Sequence, residues 1–384
     1  MHLKTYLAAT GFTSVFVFAL FILSPILAPY MNSAGLNEFQ IGLIMSISGI
    51  VIFFTAPILG RVSDKIGRRA VMFLGLMSAL VGFIFYILDT NWINFLVARG
   101  FLAISFVAIV IVGLAKIEDV IDEKRRGEFS GMSLSLMDAM KAVAPPLGGL
   151  LADHYFVKLP FLVSIIIVVL LFLFIYFWKR DVLRPKLSKG DVNLFGLLRG
   201  FVANRRLRWM AFLGMAMHST IPIYLMFIPL LVKVTWGMPY SYVGYALFAF
   251  TVPHLFQFAL GKFADRVGEA KAVVMGTILC GLTILFMSKV TSYVELIIMI
   301  ALWGVWSSLW NVSAWAFMSD IGEKTHDEGT IVGSYISWAK VGSFVSWVGG
   351  GFFVMHYGLS AYMMLIGSLI LVVSIISYPL LAKA

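Results

Sequence analysis

Residues Gly60–Arg69 read GRVSDKIGRR, and residues Gly261–Lys271 read GKFADRVGEAK. Each stretch follows a long apolar run and carries glycine, aspartate and glycine at the same spacing, at an offset of 201 residues. The shared positions are Gly60, Asp64 and Gly67 in the first copy and Gly261, Asp265 and Gly268 in the second. A match separated by about half the chain predicts two similar halves.

Further landmarks recur in nearly the same register. At an offset of 202, Gly131 pairs with Gly333, and Gly148 pairs with Gly350. The dipeptide His154-Tyr155 returns as His356-Tyr357 at the same offset. We therefore predict parallel repeats of the kind found in transporters, with a site near the middle of the membrane. The expected domains are residues 1–178, a basic linker at 179–208, and residues 209–384.

The composition places both halves in a membrane. Of the 384 residues, 61% are hydrophobic and only 12% are charged, and the mean hydropathy is +0.96. These values predict an all-α polytopic membrane protein of two pseudo-symmetric six-helix bundles. The first apolar run is too long for a signal-peptide core and should be retained. We predict twelve spans: 5–30, 39–60, 70–88, 92–115, 129–152, 159–178, 209–232, 240–261, 271–289, 293–317, 330–354 and 360–381.

The net charge of +10 follows topology rather than nucleic-acid binding, because the basic residues concentrate in alternate loops. The opposite loops hold only Lys158, Lys233 and Lys289. The positive-inside rule then places both termini in the cytoplasm of a protein in the cell (inner or plasma) membrane. The richer loops contain these residues, together with the linker: Arg61, Lys65, Arg68, Arg69, Lys124, Arg125, Arg126, Lys262, Arg266, Lys271 and Lys324.

The chain lacks the usual signs of catalysis or tightly held cofactors. Its one cysteine, Cys280, lies in an apolar run, so disulfides and cysteine metal sites are not expected. No catalytic or phosphate-binding motif is present, and there is no ATP-binding domain. We expect no enzyme activity, no cofactor and no metal, and a proton or another ion gradient as the energy source.

The loop Gly60–Arg69 resembles the loop between spans 2 and 3 of the major facilitator superfamily, whose pattern is roughly G-x-x-x-D-R-x-G-R-R. Gly60, Asp64, Gly67, Arg68 and Arg69 match that pattern, and Lys65 stands where arginine is usual. The resemblance implies the superfamily's twelve-span fold and transport by alternating access. It also implies that these residues, with Gly261, Asp265 and Gly268, hold the halves together when the cavity faces outward.

Span 5 contains a second family-like stretch, Ala144–Gly149, which reads APPLGG. It resembles the G-x-x-x-G-P-x-x-G-G motif of drug/proton antiporters in Pro145, Gly148 and Gly149, and Met140 and Ala144 replace the two earlier glycines. Proline removes a helical hydrogen bond and glycine pairs allow close helix approach. The resemblance therefore implies a conformational role for these residues and an antiporter that exports its substrate.

Four charged residues lie well inside the predicted spans: Arg99, Asp138, Lys141 and Lys340. Such charges are costly and usually mark an ion or substrate route. Asp138 and Lys141 share one helix face, and Lys340 occupies the repeat position of Asp138. We predict Asp138 as the proton carrier, influenced by Arg99 and Lys141, with Lys340 across the cavity. The alternative is that Asp138 and Lys141 only neutralise each other.

Weaker signals come from polar and aromatic residues near helix-breaking prolines or in an aromatic stripe. A lone histidine in a span is more often a packing residue, and a tryptophan stripe packs as readily as it lines a cavity. The candidates for the substrate cavity, beside Lys340, are His218, His254, Gln257, Trp310 and Asn311.

The leading hypothesis is a monomeric secondary transporter that exports small amphipathic compounds in exchange for protons. An alternative is a transporter of an organic anion, such as a carboxylate, a sugar acid or a lipid head group, because three mid-span cations outnumber one acid. A third hypothesis, of another class, is a membrane sensor or scaffold that transports nothing. In all three the lipid bilayer is the surrounding medium, and no nucleic acid is involved.

Overall fold

The computed structural model describes residues 3–88, 91–121, 126–177, 194–325 and 328–381. The described residues form helices joined by short turns. Two compact units can be distinguished. Unit 1 comprises Met1–Leu36, Leu43–Gly190 and Pro229–Tyr245, and unit 2 comprises Asn37–Gly42, Asp191–Ile228 and Ala246–Ala384.

The helices follow the predicted order of spans. Their bounds, from span 1 to span 12, are Leu3–Phe21 with Leu27–Ser33, Glu38–Ile66, Arg68–Ile87, Trp92–Asp119, Arg126–His154, Leu159–Phe177, Arg205–Thr235, Tyr240–Leu255 with Gln257–Val267, Glu269–Met287, Tyr293–Thr325, and Glu328–Leu381 for spans 11 and 12 together.

Nine helices in the described part of the chain are long and apolar enough to cross a membrane. The two segments of span 8, bent by 52°, add a tenth. Glu328–Leu381 changes direction at Gly358, where φ is 81°, and so holds two spans. Arg126–His154 has the length of a span but carries the charges of span 5. The twelve-span, all-helical fold is thereby confirmed.

Several details differ from the prediction, because apolar length does not show where a helix bends. Span 1 is interrupted between Phe21 and Leu27 rather than continuous. The loop predicted at 355–359 is instead a kink at Gly358. Spans 4 and 7 contain π-helical turns, at Val107–Ile111 in span 4. Such turns insert an extra residue and often lie at functional sites.

The linker predicted at 179–208 is described only in part, because residues 178–193 lie outside the described ranges. Its second part forms the helix Leu194–Ala203, and span 7 begins directly after it at Arg205. The Leu198 carbonyl accepts a hydrogen bond from Trp338 Nε1 at 3.3 Å, which ties this helix to span 11. Of the predicted cytoplasmic cations, Lys124 and Arg125 also lie outside the described residues.

Candidate functional site

The loop Gly60–Arg69 is a sharp turn between two long helices. Gly67 has φ 95° and separates span 2 from span 3, and Gly268 has φ 95° between spans 8 and 9. Residues with a side chain rarely adopt this backbone conformation, which explains why glycine stands at both positions. Gly60 lies inside span 2 with open space around it, and Gly261 meets only the Val312 side chain. Gly60 is therefore part of the span 2 helix and not of the turn itself.

Arg68 organises the charged groups of this loop. Its guanidinium pairs with Asp64 at 2.8 Å and with Asp119, at the end of span 4, at 3.3 Å. It also donates to the Ser63 hydroxyl at 2.5 Å. In the second copy Glu269 occupies the position of Arg68, next to the exposed Asp265. The second copy therefore has no cation at the position that Arg68 holds in the charge network of the first copy.

Arg69 binds the end of span 6. It donates to the Ile175 carbonyl at 2.6 and 3.0 Å and to the Tyr176 carbonyl at 2.8 Å. These carbonyls belong to the last described turn of the helix, near the helix C-terminus, where a cation is favoured. Arg69 thus fixes the start of span 3 against the end of span 6 inside unit 1.

Asp138 and Lys141 form an ion pair on span 5. Lys141 Nζ lies 2.8 Å from Asp138 Oδ1, as their three-residue spacing on one helix face allows. Asp138 is about 18 Å from the start of this helix at 1.5 Å per residue. The two side chains keep 23% and 36% of their surface exposed, respectively. The pair is therefore partly exposed rather than sealed in a core.

Arg99 lies next to the Tyr86 hydroxyl, between spans 3 and 4. Its Nε atom is buried and has no hydrogen-bond partner among the described residues. The expected approach of Arg99 to Asp138 stays a prediction. Helix Trp92–Asp119 also extends beyond the predicted end of span 4 and includes Lys116, which is only 4% exposed.

The Pro/Gly stretch of span 5 lies in an unbroken helix, Arg126–His154. Gly148 faces the backbone carbonyl of Ile22, at the interruption in span 1. A Cβ atom on Gly149 would lie 2.5 Å from the Tyr240 carbonyl oxygen at the start of span 8. Residue 145 lies against Gly244, whose Cβ would come within 2.6 Å of the Pro145 carbonyl. These residues act as close-packing positions.

Three of the predicted cavity residues meet in unit 2. The rings of His218 and Trp310 are 5.9 Å apart at 73°, and the Lys340 ammonium is close enough to His218 to act on it electrostatically. Spans 7 and 11 touch at this level, since a Cβ on Gly214 would lie 3.3 Å from that of Ala339. Trp310 Nε1 and His218 Nδ1 are buried without hydrogen-bond partners in the described chain. Lys340 itself is exposed.

Of the other predicted cavity residues, His254 and Asn311 make contacts within their own helices. His254 Nδ1 lies 3.2 Å from the Phe250 carbonyl, and its ring stacks on Phe250. Asn311 accepts a hydrogen bond from Trp315 Nε1 at 3.1 Å, and Trp315 is 43% exposed. Gln257 begins the second segment of the bent span 8. Asn311 is therefore half-buried and paired with an exposed tryptophan.

Two features escaped the sequence analysis. The first is an aromatic group in unit 2, in which Phe250 contacts Trp303 at 4.5 Å and Tyr224 at 4.6 Å between ring centroids. The second is Asp153, which accepts hydrogen bonds from the Tyr240 and Ser241 amides at 2.8 and 2.7 Å. Asp153 lies one helical turn beyond Gly149, so its position on the packing face was visible from the spacing.

The model of the Major Facilitator Superfamily matches residues 9–253 and 223–383. The chain therefore belongs to the Major Facilitator Superfamily. This agrees with the fold, the repeat and the loop Gly60–Arg69. It is a multi-pass membrane transporter with a small-molecule substrate, built on the fold that works by alternating access.

The relatives of this superfamily protein are distant in sequence. An uncharacterised transporter of the same type from Methanocaldococcus jannaschii is 24% identical over 321 residues, covering 82% of this chain and 81% of the relative. The class E tetracycline resistance protein of Escherichia coli is 26% identical over 69% of this chain and 66% of its own length. The crystal structure of the nucleoside transporter NupG matches all of both chains with a TM-score of 0.83 at 13% identity, which shows the shared fold alone.

Proposed function

We propose that this transporter exports small amphipathic compounds in exchange for protons, as a monomer in the cell membrane with both termini in the cytoplasm. The observation that carries the proposal is the Asp138–Lys141 ion pair inside span 5, which remains partly exposed. The similarity of the chain to tetracycline resistance proteins supports export of such compounds. One chain contains both repeats, so no second copy is needed for the site.

Protonation of Asp138 would remove its charge and weaken the 2.8 Å contact with Lys141. The Lys141 ammonium would then lose its counter-ion at a depth where an unpaired cation is costly. A conformation that gives Lys141 water or another partner would be favoured in the protonated state. Proton binding is thereby linked to the choice between conformations, as coupled transport requires.

In the aromatic group of unit 2, the half-buried rings of Tyr224 and Phe250 supply surface for an amphipathic substrate, and the buried Trp303 packs against Phe250. Trp303 is 1% exposed and Tyr224 donates to the Leu247 carbonyl, so both rings are held in place. His218 and Trp310 extend the aromatic surface towards Lys340. Rings fixed in this way can stack on flat, partly apolar molecules, including cationic ones.

The test is transport by purified protein in liposomes, comparing wild type with Asp138→Asn. A matched control is Glu295→Gln, which also removes one carboxylate but lies in the exposed first turn of span 10. We expect Asp138→Asn to abolish accumulation driven by a pH gradient while exchange down a concentration gradient continues. Glu295→Gln should keep both activities.

If Asp138→Asn accumulates substrate with the pH-gradient dependence of wild type, Asp138 is not the proton carrier. If the wild type moves no fluorescent or radiolabelled amphipathic compound under any imposed gradient, the export proposal itself fails. That second result would favour the sensor hypothesis. The two outcomes separate the residue's role from the activity of the protein.

A second candidate function is transport of an organic anion, and one observation favours it. Lys340 is exposed beside His218 and Trp310, and both of these rings bury a nitrogen atom that lacks a partner among the described residues. A carboxylate or phosphate group would accept a hydrogen bond from the Trp310 indole N–H and would be attracted by the Lys340 ammonium. We therefore keep an anionic substrate as the alternative.

Substrate competition in Lys340→Ala distinguishes the two candidates. Under the anion hypothesis, organic anions that compete in wild type should no longer do so in the variant, and export of cationic dyes should be unchanged. Lys289→Ala is the control, because Lys289 is an exposed cation between spans 9 and 10. Equal competition in wild type and both variants would remove the support that Lys340 gives to the anion hypothesis.

A further inference from the structure

A cavity of about 480 Å³ lies at one edge of unit 2, away from the residues of the proposed transport site. Span 7 begins at its wall and span 12 ends there. The described residues that line it are Asn204, Arg205, Arg206, Pro379 and Leu380.

The cavity is basic, because two of the described residues that line it are arginines and none is acidic. The sequence contains no aspartate or glutamate from 192 to 264 or from 329 to 384, the segments that supply every lining residue. Arg205 and Arg206 place two guanidinium groups at the wall. An anionic ligand is therefore favoured over a cationic or neutral one.

The donors for such a ligand are the arginine side chains rather than the backbone. Asn204 Oδ1 accepts hydrogen bonds from the amides of Arg206 at 2.9 Å and Leu207 at 3.4 Å. These amides at the start of span 7 are thus occupied by a capping side chain. Guanidinium groups can bind two oxygens of one phosphate at once, which suits them to this role.

The remaining lining residues, Pro379 and Leu380, are apolar, and exposed apolar side chains lie on the same two helices. Pro379 and Leu380 stand in the last turn of the span 12 helix, which ends at Leu381. Exposed apolar side chains precede them on the same helix, with Ile376 at 47% and Tyr378 at 48% exposure. On span 7, Phe212 is 44% exposed. A basic rim above an apolar, exposed surface matches a phospholipid, with its phosphate outside the hydrocarbon and its tails within it.

We propose that this cavity binds the phosphate group of an anionic glycerophospholipid through Arg205 and Arg206. The end of the span 12 helix places the cavity at the level where phospholipid head groups lie. A free phosphate ion would use the same two arginines but not the apolar wall. The proposal does not depend on the transported substrate or on the coupling ion.

The experiment uses the full-length protein purified in detergent, with lipid binding followed by native mass spectrometry and thermal unfolding. The probes are phosphatidylglycerol, phosphatidylcholine and inorganic phosphate. In wild type, phosphatidylglycerol should bind more tightly and raise the unfolding temperature more than phosphatidylcholine. In Arg205→Ala/Arg206→Ala, its affinity should fall by roughly ten- to thirtyfold.

The matched control is Arg199→Ala/Arg208→Ala, which removes the same charge from two exposed arginines that do not line the cavity. It should keep most of the preference for phosphatidylglycerol. Arg205→Lys/Arg206→Lys keeps the charge but loses the two-pronged hydrogen bonding, so an intermediate affinity is expected. If the alanine variant does not fold, lipid binding by this lysine variant tests the proposal in its place.

Equal loss in the Arg199/Arg208 control would mean that only net charge matters and would overturn the assignment of the cavity. Stabilisation by inorganic phosphate as strong as that by phosphatidylglycerol would overturn the lipid as the occupant. No difference between phosphatidylglycerol and phosphatidylcholine in wild type would also contradict the proposal.

Discussion

Two helix crossings in this protein are related by the sequence repeat, yet different contacts stabilise them. In unit 1, Gly149 of span 5 meets the start of span 8, and in unit 2, Gly351 of span 11 meets the start of span 2. A Cβ on either glycine would lie 2.5 Å from a carbonyl oxygen, that of Tyr240 or of Glu38. The partners at the two crossings are themselves 202 positions apart. The repeat has therefore kept the backbone contact.

The difference lies in how the entering helix is capped. Span 2 has its own cap, since Asn37 Oδ1 accepts from the Gln40 amide at 2.9 Å. Pro239 stands at the corresponding place before span 8, and its side chain has no acceptor. There Asp153 of span 5 accepts from the first two amides of span 8 instead. A helix start needs acceptors, and they come either from its own chain or from a neighbouring span.

The unit 1 crossing carries an additional polar contact. The Asp153 clamp joins two spans as well as capping one, and it places a carboxylate at a helix N-terminus, where negative charge is favoured. At the unit 2 crossing, residue 355 is methionine, and the contact there is between the Phe39 and Phe352 rings at 6.2 Å. Opening the unit 1 crossing therefore breaks charge-assisted hydrogen bonds, and opening the unit 2 crossing does not.

The largest effect should come from filling either crossing. Gly149→Ala and Gly351→Ala each force a Cβ against the backbone of a neighbouring helix, where no flexible side chain can move aside. We expect each to lower the free energy of unfolding by about 1–3 kcal/mol, as overpacking does. Thermal unfolding in detergent measures this loss.

Matched controls exist in both spans. Gly131 in span 5 and Gly349 in span 11 have nothing within 4 Å of a Cβ atom. Alanine at these positions should be neutral or slightly stabilising, because glycine is a poor helix former. A result in which Gly349→Ala is as harmful as Gly351→Ala would mean that the crossing is not the reason for the cost.

A smaller effect, confined to one crossing, should follow from Asp153→Ala. Loss of a helix cap costs about 0.5–2 kcal/mol. The lower part of that range is expected because Asp153 is exposed. Hydrogen exchange at the Tyr240 and Ser241 amides should become faster, since these amides lose their acceptor. Met355→Ala, at the equivalent position, should leave exchange at Glu38 and Phe39 unchanged.

Faster exchange across all of unit 1 in Asp153→Ala would point to global destabilisation rather than to loss of a clamp. Unchanged exchange at Tyr240 and Ser241 would show that the two hydrogen bonds are not kept in solution. Either result would remove the distinction drawn between the crossings.

Much of the fold was predictable from local sequence patterns and from the repeat. Spans are set by apolar length, and the turn at Gly67 by a conformation that glycine tolerates. The contact between Asp138 and Lys141 was predictable because residues three apart on a helix are neighbours. The repeat offset of about 202 residues also relates the contacts at the two crossings, because Gly42 and Gly244 face equivalent partners there.

What the sequence could not supply were contacts between distant spans. The spacing places Asp153 on the helix face of Gly149, but it does not identify Tyr240, 87 positions away, as the partner. The same holds for His218 and Trp310, whose rings come together from spans 7 and 10. Such pairs depend on helix rotation and tilt, which are set by the packing of many side chains at once.

The smallest expected effect tests whether capping explains the difference between the crossings. Pro239→Asn should give span 8 a cap of its own, as Asn37 does for span 2. In this background Asp153→Ala should cost about half as much stability as in wild type, because part of the capping is restored locally. Thermal unfolding of the four proteins in the double-mutant cycle measures the coupling. If the cost of Asp153→Ala is the same with and without Pro239→Asn, then Asp153 stabilises the crossing by joining the spans and not by replacing a missing cap.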